Sequence, residues 1–204
     1  MSPRRRRPLL PLCLMPLVFA APPAQAQQAP TPEERARVAA LIRAAALPGE
    51  AHARLAALEG TWHQRIRMRP AHGAELVEME GTATNTMILG GRFLKTESSG
   101  GEGPYAADAL LLTGHDGRSG LYTQVAFDSW GTYWVSAAGG AGEDGTITMS
   151  GEDRGPLGHT QRYDFILRIV DADTYVSAIV FHDDAHTGGT GPLTMFEITH
   201  TRSR

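Results

Sequence analysis

Met87-Ile88-Leu89-Gly90-Gly91-Arg92-Phe93-Leu94 is the stretch that decides how the rest of the chain is understood. An apolar run stops and resumes across two glycines, with no polar loop between. Paired glycines admit positive φ and close backbone approach, so the chain can reverse there and leave as a second strand. Upstream, Gly60-Thr61-Trp62 sets an aromatic beside a glycine, and downstream Trp130-Gly131-Thr132-Tyr133-Trp134 does so again. The three segments together mark a small antiparallel barrel.

Upstream of this stretch the periodicity becomes alternating at Trp62. Trp62, Gln64, Ile66 and Met68 fall on one face, and His63, Arg65, Arg67 and Arg69 on the other, which is a half-buried strand with a basic outer face. Short strand-like runs then follow, broken by glycine and aspartate turn signals. They predict strands near 62–69, 75–88, 92–99, 106–114, 119–128, 131–138, 145–151, 161–171, 174–183 and 192–201, with glycine-rich loops at 138–145 and 187–191. About ten antiparallel strands without βαβ spacing imply a closed all-β up-and-down barrel. A barrel of this strand number encloses more space than its own side chains need.

Ahead of the barrel, Thr31-Pro32-Glu33-Glu34 is a helix start with a capping box. Val38, Leu41, Ile42 and Ala45 follow the spacing of an amphipathic stripe, expected to lie on the barrel or tether it, and Pro48-Gly49 ends this helix. A second helix is expected from about Glu50 to Leu58, with Leu55 and Leu58 inward and Gly60 as its stop. Earlier still, Arg4 to Arg7, an apolar run from Leu9 to Ala21 and Ala24-Gln25-Ala26 compose a secretory signal peptide. Arg6-Arg7 before Leu9-Leu10 also fits a twin-arginine signal. The expected organisation is a signal peptide at 1–26, a spacer and amphipathic helix at 27–48, and a barrel at 49–204, in the periplasm or secreted.

The chain's 204 residues, 42% of them hydrophobic, suit one domain with such appendages. Cys13, its only cysteine, would leave with the leader, so neither disulfide nor thiol chemistry is expected. The leader also carries four arginines and no acid. Its removal lowers the 19 basic residues to 15 against 22 acidic ones, moving the net charge from −3 to −7. That balance argues against nucleic acid and anionic membrane surfaces as partners. No segment is long and apolar enough for a membrane-spanning helix.

His52-x-x-Leu55-x-x-Leu58-x-Gly60-Thr61-Trp62, then Leu89-Gly90-Gly91-Arg92-Phe93-Leu94, then Thr113-Gly114-His115-Asp116 leading to Tyr122 and Trp134, resemble the bacterial domain-of-unknown-function family 1579. That family's pattern has a helix ending in Gly-x-Trp, a Leu-Gly-Gly-aromatic step and a Gly-Tyr-Asp turn; this chain has His115 in place of the tyrosine. The resemblance covers roughly residues 50–201 and implies a lipocalin-like (calycin) barrel. It implies no catalytic residues. It assigns Trp62, Gly90 and Gly91 to the framework.

No Gly-x-Ser-x-Gly elbow, phosphate loop or dinucleotide fingerprint occurs, so no enzyme activity is expected. Candidates for lining a ligand-binding lumen are Trp62, Gln64, Phe93, Phe127, Tyr133, Tyr175, Phe181, Phe196 and His200, with Thr123 also inward. His200 shares a face with Phe196 and Ile198 and is expected inward near the mouth. There it would be either a histidine satisfied by hydrogen bonds or a proximal haem ligand. His182 and His186, within His182-Asp183-Asp184-Ala185-His186, are the metal-type candidates. The leading expectation is an exported, non-catalytic barrel holding a small, mostly apolar molecule and no cofactor. The alternatives are an envelope interaction module with a packed lumen, docking through the 32–46 helix, and haem or metal binding through His200 or His182 and His186.

Overall fold

The computed structural model describes residues 29–155 and 158–204. The signal peptide, its cleavage site and Cys13 lie outside the described residues. The chain divides into two units, residues 1–39 and 40–204. Helix α1 (Pro32–Ala45) begins in the first. Its capping box forms as expected: the Thr31 N–H donates to Glu34 Oε2 at 2.7 Å, and the Glu34 N–H to Thr31 Oγ1 at 3.2 Å. The stripe residues Val38, Leu41 and Ile42 are exposed, so the amphipathic pattern buries no apolar face there.

In the second unit, α2 (Glu50–Ala56) starts where the Gly49 N–H donates to His52 Nδ1 at 3.1 Å. Leu55 and Leu58 are both buried, as their spacing predicts. Gly60 does not stop this helix; it opens the first strand. Ten strands follow: β1 (Gly60–Met68), β2 (Val77–Ile88), β3 (Phe93–Gly100), β4 (Ala107–Asp116), β5 (Leu121–Asp128), β6 (Trp134–Ala141), β7 (Ile147–Arg154), β8 (Thr160–Ile169), β9 (Thr174–Phe181) and β10 (Leu193–Arg202). Helix α3 (Asp184–Thr187) lies between the last two. Each strand pairs with its sequence neighbour, and β1 pairs with β10 from Trp62↔Arg202 to Met68↔Phe196, closing the barrel. Closure leaves no sheet edge, as the expected up-and-down topology requires.

The turn between β2 and β3 is left-handed through three residues: Leu89, Gly90 and Gly91 have φ of 50°, 67° and 82°. The Gly91 and Arg92 N–H groups both donate to the Ile88 carbonyl, at 3.2 and 3.1 Å. Only Leu89 bears a side chain in this conformation, at a cost of roughly 1–2 kcal/mol. The largest departure from expectation is β6, displaced from 131–138 to Trp134–Ala141. Asp128 accepts from the Trp130 N–H at 2.9 Å, and the Trp130 indole N–H donates to the Ala106 carbonyl at 3.0 Å, so residues 129–133 form the turn. The glycines expected in a loop are partly strand instead. A Cβ on Gly139 would run into the Thr148 carbonyl of β7, so this position admits close packing of two backbones.

Alternate connections and α2 gather at one end of the barrel, where Arg54 of α2 reaches the Gly145 carbonyl between β6 and β7 at 3.4 Å. That end is filled. Leu55, Leu58, Trp62, Tyr122, Ile147 and Met149 belong to one buried cluster. The Trp62 indole N–H donates to the Leu58 carbonyl at 2.9 Å. Arg202 lies over the Trp62 ring at 4.2 Å and donates to the carbonyls of Ala57, Glu59 and Ala172 at 3.0, 2.6 and 3.0 Å. Through Ala57 and Glu59 it satisfies carbonyls at the end of α2, and through Ala172 it ties them to the β8–β9 turn. The basic outer face of β1 is matched across strands: Arg65 and Arg67 meet Glu78 and Glu197 at 3.0 Å each. Among the described residues no helix is long and apolar enough to cross a membrane.

Candidate functional site: the barrel lumen and its mouth

Above the filled end the barrel encloses a cavity of about 380 Å³, within the range of small-molecule sites. The packed lumen of the interaction-module alternative is therefore not what the barrel contains. Apolar walls come from Ile66, Leu94, Ala109, Leu111, Ala126 and Ile179, which alternation turns inward.

The floor is polar and paired. The Ser98 hydroxyl donates to Gln64 Oε1 at 3.0 Å, and the Thr96 hydroxyl to Asn85 Oδ1 at 2.7 Å. Asn85 Nδ2 donates to the Leu58 carbonyl at 2.9 Å and to the Tyr175 hydroxyl at 3.1 Å. Thr113 donates to Gln124 Oε1 at 3.0 Å. Every one of these side chains is neutral. Burial pushes the Tyr175 phenol up to about 12, with the Asn85 bond opposing it, so that group also stays uncharged.

His200 faces inward as expected, but at the floor rather than the mouth. The β1–β10 register sets it opposite Gln64, two residues before the Arg202 clamp. Its Nε2 lies 2.9 Å from Ser177 Oγ, its ring stacks on Tyr175 at 3.8 Å, and its Nδ1 has no partner. Only 3% of the residue is exposed. Burial pushes its pKa down to about 3, so the imidazole is neutral at physiological pH.

Gln64, Phe127, Tyr133, Tyr175, Phe181, Phe196 and His200 all border the cavity. Phe127, Tyr133 and Trp130 surround its mouth and are substantially exposed. Trp62 does not border the cavity; it sits beneath the floor, edge-on to Tyr175 at 4.7 Å. Phe93 is a correction. It lies on the outer face with its ring over Gly114, because Leu94, one position on, takes the inward phase of β3. Thr123 is another: Tyr122 and Gln124 are buried, which leaves Thr123 outside.

The histidines of the last long connection separate. His182 Nε2 pairs with Asp164 Oδ2 at 2.8 Å, and Asp164 Oδ1 accepts from Ser150 at 2.6 Å. His186 turns away on α3, where its Nδ1 lies 2.9 Å from Oδ1 of Asp183. Burial opposes the Asp183 charge, but hydrogen bonds from His186 and the Arg162 N–H outweigh it and hold the carboxyl below its ordinary range. His159, from the β7–β8 connection, joins this pair with Nε2 3.9 Å from the same Asp183 oxygen.

Sequence reasoning missed Asn85, Thr96, Ser98, Thr113 and Gln124 on the floor, and His159 at the mouth. Asn85 had a signal, since it shares alternation phase with Gly81, Ala83 and Met87 on β2. His159 had none: it lies 24 positions from Asp183 in the chain, and no periodicity or motif links the two.

No curated protein matches the chain at a significant level. Residues 47–202 match the family described as "Protein of unknown function (DUF1579)". That span takes in α2, the left-handed turn at Leu89–Gly91 and all ten strands, and the chain belongs to this family.

Proposed function

We propose that the barrel is a non-catalytic carrier for a small molecule with an apolar body and an uncharged polar end. The observation that carries this is the cavity of about 380 Å³ whose apolar walls end on a floor of neutral, mutually hydrogen-bonded side chains. A carboxylate or ammonium buried there would meet no opposite charge, and an unpaired buried ion is costly. An alcohol, ester, ketone or amide end meets donors and acceptors instead. The unpartnered Nδ1 of His200 is the floor's polar atom still to be satisfied. The signal peptide expected at 1–26 would place this carrier in the periplasm or outside the cell.

Ser177 and His200 have the spacing of a nucleophile and its base. An imidazole with a pKa of about 3 is too weak a base near neutral pH, and no carboxylate stands behind Nδ1 to orient it. This favours binding over catalysis. A haem on His200 gains no support, because Nε2 is engaged by Ser177 and the ring face by Tyr175.

The test is a titration of the folded chain with Nile red, a neutral apolar dye, followed by displacement with dodecanol or dodecanoate. The dye should bind, dodecanol should displace it better than dodecanoate, and Ala109→Phe, which fills the lumen, should weaken both. Absence of dye binding, or equal displacement by the carboxylate, overturns the proposal.

A further inference from the structure

His159, Asp183 and His186 each present one donor atom within 4.8 Å of the other two. The histidine–aspartate distances are 2.9 and 3.9 Å. Four donors at zinc bond lengths of about 2.0–2.2 Å stand roughly 3.4 Å apart in a tetrahedron. Two of the observed separations fall on either side of that spacing and the third is no longer than 4.8 Å, so rotation of the side chains can bring the three donors around one point.

Three further observations separate this group from an ordinary polar cluster. The Nε2 of His159 is hidden from solvent and has no hydrogen-bond partner. A buried nitrogen left so costs free energy unless something occupies its lone pair. The Asp183 carboxylate is also aimed, since its Oδ2 accepts from the Arg162 N–H at 3.3 Å and its Oδ1 from the His186 N–H at 3.3 Å. The His186 ring is held by stacking on Phe181 at 4.1 Å. Such outer contacts orient metal ligands. The other close histidine pair, His52 and His115 at 5.8 Å, belongs to no such cluster among the described residues.

We propose that His159, Asp183 and His186 form a binding site for a first-row divalent transition ion of the zinc type, in the wall of the barrel mouth. Two imidazoles and one carboxylate are a donor set for zinc and its neighbours, not for calcium or magnesium, which take oxygen ligands. Three protein ligands leave a fourth position for water or a bound molecule. His186 and Phe181 both border the lumen, so the ion sits in the wall of the cavity. The site is separate from the carrier reading and stands whether or not the lumen takes an apolar guest.

The experiment is a zinc titration of the full folded chain by calorimetry, with cobalt(II) absorption as a report on geometry. One ion per chain is expected, and the cobalt form should show the intense visible bands of a four-coordinate site. His159→Gln removes a side chain whose Nε2 makes no hydrogen bond in the protein, so the variant should fold, with affinity lowered on the order of 100-fold or more. His182→Gln removes the neighbouring histidine outside the cluster and should leave affinity unchanged. Absence of zinc binding overturns the proposal, as does equal loss in both variants or no loss in His159→Gln. Circular dichroism of each variant separates lost binding from lost folding.

Discussion

The two ends of the barrel solve opposite problems. At the closed end, α2, Trp62 and the Arg202 clamp leave no space, and each polar group there serves to hold the helix against the strands. At the mouth, Phe127, Trp130 and Tyr133 stay substantially exposed, and the histidine–aspartate group joins α3 and its N-cap to the start of β8. Aromatics occur at both ends, and their chemistry does not distinguish them. What differs is whether something covers them: a helix at one end, solvent at the other. Stability should therefore concentrate at the closed end and binding at the mouth and in the lumen.

Trp62→Ala tests the first half of that contrast and has the largest expected effect. It removes a ring that is 1% exposed, together with its bond to Leu58 and the Arg202 stack. A loss of about 3–5 kcal/mol in urea unfolding is expected. A loss below ~1 kcal/mol would mean the closed end is not the keystone.

The floor between the two ends should respond to acid. His200 has an ordinary value of 6.5 and a folded value of about 3, so between these the unfolded chain binds the extra proton. The stability that its neutral burial protects is complete above pH 6.5 and drains as pH falls towards 3. Lowering the pH from 7 to 4 should cost roughly 3 kcal/mol through this residue. His200→Phe, which keeps a ring against Tyr175 but cannot titrate, should remove that part of the slope. An unchanged slope in the variant would place the acid sensitivity elsewhere.

At the mouth, Tyr133→Ser should change stability by less than about 1 kcal/mol, since the side chain is 43% exposed. The same variant should weaken Nile red binding. A large stability loss with unchanged dye binding would reverse the roles assigned to the two ends.

Much of the fold was legible because it rests on local rules. Alternation from Trp62 to Met68 predicted the inward face of β1, and glycine- and aspartate-rich turns separated all ten strands. The site was less legible. An aromatic side chain alone does not place Phe93 in the lumen: Leu94 holds the inward phase, and strand geometry allows only one of two neighbours to face in. His200 was correctly placed on the inner face but at the wrong height, since height depends on register against β1, a pairing across the whole domain.

By itself the sequence determined the strand count, the capping box of α1, the left-handed turn at Gly90 and Gly91, and the inward phase of β1, β8, β9 and β10. These follow from side-chain period and backbone sterics within a few residues. Only the tertiary structure decided that the lumen is open above a neutral floor, that His182 and His186 part, and that His159 meets Asp183. Each of those depends on which residues closure brings together across loops and strands, and neither period nor propensity encodes that distance.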